Sequence, residues 1–235
     1  MGETLFVIPA RGRSKRLPRK NLLPLGGKPL IVWTIEAALE SAIPGLVCVS
    51  TDDEEIAEIS KKAGAAVPFI RPAELATDTA SSVDVVAHAY EYCCSGARGN
   101  FETITLLQPT SPLRDAEDIR AAFHLFYEKE AENVVSICPV AHSPLWANVL
   151  SPDRSLRGFI REDIKGKRSQ DLPTYYRLNG AIYICAAKRF LAKQSLLFED
   201  KSFAYIMTME HSLDIDTTLD FRIAEVMLAE LNGTN

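Results

Sequence analysis

Short apolar runs and amphipathic stretches alternate along the first 138 residues, and that rhythm restricts the possible folds more than any other feature of the chain. Residues 5–9 (LFVIP), 46–50 (LVCVS), 103–107 (TITLL) and 134–138 (VVSIC) are continuous apolar runs of strand length, as expected of strands buried on both faces. Between them lie helical stripes. Pro29 opens a helix carrying Ile31, Ile35, Ala38 and Leu39 inward, and residues 53–63 bury Ile56, Ile59 and Ala63 before a stop at Gly64. Residues 81–95 bury Val83, Val86, Ala87 and Tyr90, and residues 116–130 bury Ile119, Ala122, Phe123 and Phe126. A further strand is expected at 67–71, weakened by Pro68. Strand–helix alternation of this kind predicts an α/β fold with a doubly wound, mostly parallel sheet, in one domain spanning 1–235.

The rhythm breaks at 140–180. Pro144, Pro152 and Pro173 fall there with Trp146, Phe159 and the bases Arg157, Arg161, Lys165, Lys167 and Arg168, so this segment is expected to be an excursion shaped as a hairpin arm. Alternation then resumes with a strand at 181–185, a helix at 187–193, a strand at 204–209 and a helix at 217–231.

Charge narrows the function classes. The net charge is -5, yet residues 1–35 hold seven bases and one acid, leaving the rest of the chain strongly acidic. A concentrated cationic segment on an acidic body suits a local anion site better than a nucleic-acid surface, and residues 10–28 lack the aromatics a single-strand binder would interleave. No apolar run approaches the length of a membrane span. The five cysteines form no C-x-x-C and sit mostly in apolar segments, which predicts reduced, buried thiols and a cytoplasmic protein. The four histidines show no ligand spacing and read as structural.

Two constellations carry chemistry. The stretch IPARGRSKRLPRKN at 8–21 follows the first strand, where ligands of doubly wound sheets bind. Backbone N–H groups around Gly12 and the cations Arg11, Lys15 and Lys20 suit a polyphosphate, although a solvated basic loop has the same composition. It matches neither the Walker loop nor the dinucleotide fingerprint. Near the other end, LDIDT at 213–217 puts Asp214 and Asp216 on one face of an extended segment. Such a pair suits Mg²⁺ shared with substrate phosphates, or else Asp216 caps the helix that follows. Asp52 and Asp53 raise the same choice between reaching the site and capping a helix.

The opening stretch, RPAELATDTASS at 71–82, LLQPTSPLR at 106–114, NGAIY at 179–183 and DID at 214–216 occur together, in order, over nearly the whole chain. As a set they resemble the acylneuraminate cytidylyltransferases, the CMP-sialic acid synthetases. The resemblance implies a Rossmann-like nucleotidyltransferase fold and transfer of CMP from CTP to the anomeric 2-hydroxyl of a nonulosonic acid, with release of pyrophosphate. It implies that Arg11, Ser14, Lys15 and Lys20 hold the triphosphate and that Asn21, Arg71 and Ser82 contact the cytidine. Gln108 and Tyr183 would line the sugar pocket, and Asp214 and Asp216 would hold Mg²⁺. Arg11, Lys20, Asp214 and Asp216 form the catalytic set, and no obligatory general base stands out. The excursion at 140–180 would be the arm of a homodimer. A CMP-Kdo synthetase shares Arg16-Leu-Pro-x-Lys20 but usually continues with proline where this chain has Asn21. Another sugar nucleotidyltransferase, or a sensor that binds CTP without turnover, is the remaining alternative.

Overall fold

The computed structural model describes residues 2–95, 100–231 and 233. In chain order the elements are β1 (Thr4–Pro9), a small ribbon of β2 (Pro24–Leu25) and β3 (Lys28–Pro29), α1 (Leu30–Glu40), β4 (Gly45–Ser50), α2 (Glu54–Lys62), α3 (Ser82–Ser95) and β5 (Thr103–Leu107). They continue with α4 (Ala116–Glu128), β6 (Asn133–Pro139), β7 (Tyr176–Ala186), α5 (Ala187–Lys193), β8 (Ser202–Ile206) and α6 (Thr218–Leu231). Six strands form the main sheet in the order β4-β1-β5-β7-β6-β8. All run in one direction except β7, which pairs antiparallel with both β5 and β6.

Each central strand is apolar on both faces because both are covered. From β1, Phe6 and Ile8 pack with Ile31 and Ile35 of α1, Ile56 of α2 and Phe123 of α4. Leu5 and Val7 point the other way, into a cluster with Val86 and Ala89 of α3 and Phe190 of α5. A third, smaller cluster lies away from the sheet. There Leu17, Leu25, Leu30 and Leu113 meet Ile215 and, from α6, Ala224 and Leu228.

Helix starts follow local chemistry. Asp53 caps α2 by accepting the N–H groups of Glu55 and Ile56, with Glu54 and Glu55 in the first turn and Lys61 and Lys62 in the last. Asp115 and Asp118 close a reciprocal capping box on α4. Ser81 accepts the Asp84 N–H at the start of α3. Thr217 and Asp220 do the same for α6, so Asp216 is not spent on that cap.

Several expectations need correcting. Residues 67–71 form no strand: Ala66 makes a single bridge to Cys48, and Pro68 lacks the N–H that a continued ladder needs. The excursion is not a hairpin. Among residues 140–175 the only regular structure is 3₁₀ turns at Pro144–Trp146 and Ser169–Asp171, and the Val140 N–H donating to Tyr175 O closes its base. Prolines and short side-chain turns such as Ser151 to Asp153 satisfy its backbone locally instead of across a ladder. β8 begins at Ser202, earlier than 204, because it starts in register with Asn133. Leu39, expected inward, is 44% exposed at the end of α1. On α3 the buried face is Val85, Val86, Ala89, Tyr90 and Cys93, so Val83 and Ala87 sit at its edge.

The chain runs from β1 outward to β4 on one side and then returns to β5 on the other. The reversal of strand order lies between β1 and β5, where the loops after these two strands part and leave a crevice.

Candidate active site

A cleft of about 540 Å³ opens at that crevice. Its wall includes Arg11, Ser14, Lys15, Lys20, Asn21, Arg71, Ser82, Gln108 and Asp216, so nine of the residues singled out in the sequence share one cavity. Tyr183 and Asp214 are not on its wall. Burial, and after it the Asp214 charge, raises the pKa of the Tyr183 phenol.

The loop after β1 is held by its neighbours. Asp52 Oδ1 accepts the Gly12 N–H at 2.9 Å, and a Cβ at Gly12 would come within 2.5 Å of Asp53 Oδ2, so only glycine allows this approach. Of the two adjacent acids, Asp53 caps α2 and Asp52 anchors the loop. Arg19 turns away from the cleft to pair with Glu55 at 2.5 Å, fixing the loop on the first turn of α2. Its positive φ of 55° sits at the entry to the 3₁₀ turn Lys20–Leu22, which aims Lys20 across the cavity.

The two ends of the chain meet there. Lys20 Nζ donates to Ile215 O and lies 3.3 Å from Asp216 Oδ1, while Arg16 Nη1 is 2.7 Å from Asp216 Oδ2. On the other side of the loop, Arg11 at 2.7 Å and Lys15 at 2.5 Å both clasp the carboxylate of Asp78. These contacts hold the Asp78 carboxyl below the usual range, Lys15 first and Arg11 second. Arg16 and Asp78 were not assigned from the sequence. Both sit inside motifs that had been singled out, but which charges they would meet is decided by contacts across 200 and 67 residues.

Arg71 is buried and uses its guanidinium to pin its own loop. Nε donates to Ser50 Oγ at 3.0 Å, Nη1 to Leu75 O at 3.3 Å, and Nη2 to Ser50 O. Burial lowers its pKa to about 10, with Asp52 opposing, so it stays cationic at neutral pH. Asn21 donates to Arg11 O at 3.1 Å, and its Oδ1 is a buried acceptor with no partner among the described residues. Ser81 takes the α3 cap, which leaves the Ser82 hydroxyl on the cleft wall.

Gln108 follows β5 and rests against Gly180, where φ is +79° and an added Cβ would meet Gln108 Oε1 at 3.3 Å. The fully buried Arg114 holds the 108–114 turn from beneath. Burial depresses its pKa to about 10, opposed by the charges of Asp118 and Asp115. Asp118 is already bonded to Tyr205 OH and His211 Nδ1, which ties the half-buried His211 to the start of α4.

Asp214 and Asp216 differ in surroundings. Burial raises the Asp214 pKa, the Asp216 charge raises it further, and the Thr110 hydroxyl and Lys20 oppose the rise. Two carboxylates two residues apart, partly exposed beside a cationic loop, are a hard-oxygen donor set of the kind Mg²⁺ takes when phosphates supply the remaining ligands. The donor set fits such an ion.

The cytidylyltransferase family pattern matches residues 5–219. Over 234 residues the chain is 38% identical to the CMP-N,N'-diacetyllegionaminic acid synthase of Legionella pneumophila, covering 97% of both proteins. The chain is a member of the CMP-sialic acid synthetase family of cytidylyltransferases. This cytidylyltransferase is also 34% identical to the pseudaminic acid cytidylyltransferase of Campylobacter jejuni, covering 96% of each. It is 40% identical over 219 residues to the N-acylneuraminate cytidylyltransferase of Streptococcus agalactiae, of which it spans about half the length (51%). Among solved structures, a CMP:2-keto-3-deoxy-manno-octonic acid synthetase complexed with CTP matches with TM-score 0.70 at 20% identity, covering 97% of this chain and 99% of that one. At that identity the likeness establishes the α/β nucleotidyltransferase fold.

Proposed function

We propose that this cytidylyltransferase moves CMP from CTP to the anomeric 2-hydroxyl of a nine-carbon 2-keto sugar acid. The observation that carries this reading is the contact of Lys20 and Arg16 with Asp216, which brings the cationic loop and the Asp214–Asp216 segment together at one cleft. The printed activities of the relatives support the same class of product.

In the reaction the sugar hydroxyl oxygen forms a bond to the α-phosphorus in line with the bond to the bridging oxygen of the β-phosphate, which breaks as pyrophosphate leaves, and the hydroxyl proton passes to solvent water. Positioning and charge neutralisation do most of the work in such transfers. Arg11, Ser14, Lys15, Arg16 and Lys20 hold the triphosphate and neutralise the departing pyrophosphate. Asn21 Oδ1, an acceptor, suits the cytosine amino group, with Arg71 and Ser82 completing the nucleoside contacts. Gln108 and Tyr183 face the sugar acid. Asp214 and Asp216 would hold Mg²⁺, which when bound offsets charge on the phosphates and lowers the hydroxyl pKa. Residues 140–175 form the arm of a homodimer, shorter than the expected 140–180 because Tyr176 already starts β7, and the reading is supported by Val149, Leu150 and Leu156 standing 89%, 50% and 69% exposed there.

Pyrophosphate release from CTP and Mg²⁺, measured against N-acetylneuraminate, legionaminate, pseudaminate and the eight-carbon Kdo, tests the proposal. Release is expected with at least one nine-carbon acid. Release with Kdo alone would replace the reading with its eight-carbon counterpart, and silence across the panel would favour a sensor.

A further inference from the structure

We infer that Asn179 is the positioning residue of the aspartate couple, acting through Ser212. The inference rests on the metal role proposed above for Asp214 and Asp216 and adds the device that aims them.

Asn179 is 3% exposed and its carboxamide is fully engaged. Its Oδ1 accepts from Ser136 Oγ at 2.6 Å and from the Ala181 N–H at 3.2 Å. Its Nδ2 donates to Ser212 Oγ at 2.9 Å and lies 3.2 Å from Met207 Sδ. Ser212 is itself completely buried; its hydroxyl donates to Thr208 O at 2.5 Å, and its carbonyl accepts from Arg177 Nη2 at 3.2 Å. Asp214 is two residues further on.

The location of this amide in the sheet explains its reach. Pairing of β6 with β7 jumps from Val135 opposite Tyr183 to Ile137 opposite Leu178, so residues 179–182 bulge out opposite Ser136 alone. The Ser136 hydroxyl closes the bulge by accepting the Ile182 N–H at 2.8 Å. Gly180, against which the cleft residue Gln108 rests, belongs to this bulge, and Tyr183 directly follows it. One buried side chain therefore joins the bulge, the turn at Glu210–Ser212 and the start of the Asp214–Asp216 segment. A network in which every member is satisfied holds one geometry, and removing one member frees the segment without exposing the core.

The test uses Mn²⁺ as the probe. Its affinity for the enzyme–CTP complex is read by electron paramagnetic resonance, and metal-free CTP binding by calorimetry. Ser212→Ala removes only a hydroxyl and keeps the proposal testable if Asn179→Ala fails to fold. Both variants are expected to bind metal-free CTP as the parent does, while Mn²⁺ affinity falls about 10- to 100-fold, the usual effect of losing a group that orients a metal ligand. Turnover should fall in parallel and recover at saturating Mn²⁺. Asp216→Ala serves as the control. If it loses Mn²⁺ while folded Ser212→Ala and Asn179→Ala keep parental affinity, the positioning role is overturned and the metal reading survives. If Asp216→Ala also keeps full Mn²⁺ affinity, the metal reading falls and the positioning role with it.

Discussion

Under the proposed triphosphate role of the loop, the single carboxylate of Asp78 competes with substrate for two cations. Arg11 and Lys15 both pair with it, so a triphosphate that engages these cations must break the contacts. Asp78→Asn keeps the shape and removes the competing charge. The CTP concentration giving half-maximal rate should drop by roughly two- to fivefold, the scale of exposed ion contacts, and the gain should shrink at high salt. A rise in that concentration would mean that Asp78 assists binding instead. Asp214 presents the opposite balance, because burial and Asp216 raise its pKa. A carboxyl that holds its proton more tightly when folded favours the folded state at low pH, and that advantage is lost as pH rises from the unfolded value through the folded one. At neutral pH the ionised group is a net cost in the metal-free protein. Asp214→Asn should therefore raise the melting temperature by a few degrees, in calorimetry without divalent ions, while turnover collapses. The residue types at these positions were visible in the sequence. Which charge faces which was not, because Asp78 and Asp216 reach the loop through folding alone.

The element that carries the aspartate couple, and brings Asp216 to the cleft wall, is a short extended segment with one anchor. Ile215 is completely buried in the cluster of Leu17, Leu25, Leu30 and Leu228, while the flanking aspartates point away from it. Alternation along extended backbone explains why a DID triplet can do this: the middle side chain is core and the outer two are not. Ile215→Ala should cost about 2–5 kcal/mol and Ile215→Val about 0.5–1.5 kcal/mol in denaturant unfolding. The larger truncation should also raise the Mg²⁺ requirement, because the Lys20 contact to Ile215 O depends on this seat. Equal Mg²⁺ requirements in folded variants of both kinds would show that the anchor serves stability alone. Elements with clean periodicity were legible beforehand. β5 and α5 match their expected ranges of 103–107 and 187–193, since apolar spacing and burial agree there. Residues 67–71 misled because their apolar side chains suggested a strand that Pro68 prevents.

Across the whole molecule, the segment from 140 to 175 is the part least explained by one chain. Val149, Leu150 and Leu156 are exposed on a stretch with no strand ladder of its own. If the proposed homodimer forms through this arm, the parent should weigh as a dimer in light scattering and the variant with these three replaced by serine as a monomer with unchanged circular dichroism; a monomeric parent, or an unaltered mass, would overturn the arm reading. The sequence by itself determined the layered α/β architecture, because strand and helix periods are written in local spacing, and it marked most of the motifs that meet at the cleft. The tertiary structure alone decided the reversal of β7, the bulge at 179–182 and the pairing of Arg16 with Asp216 across 200 residues. Such choices are settled by which surfaces the whole chain can bury and which charges it can bring together, and neither is a property of any local stretch of residues.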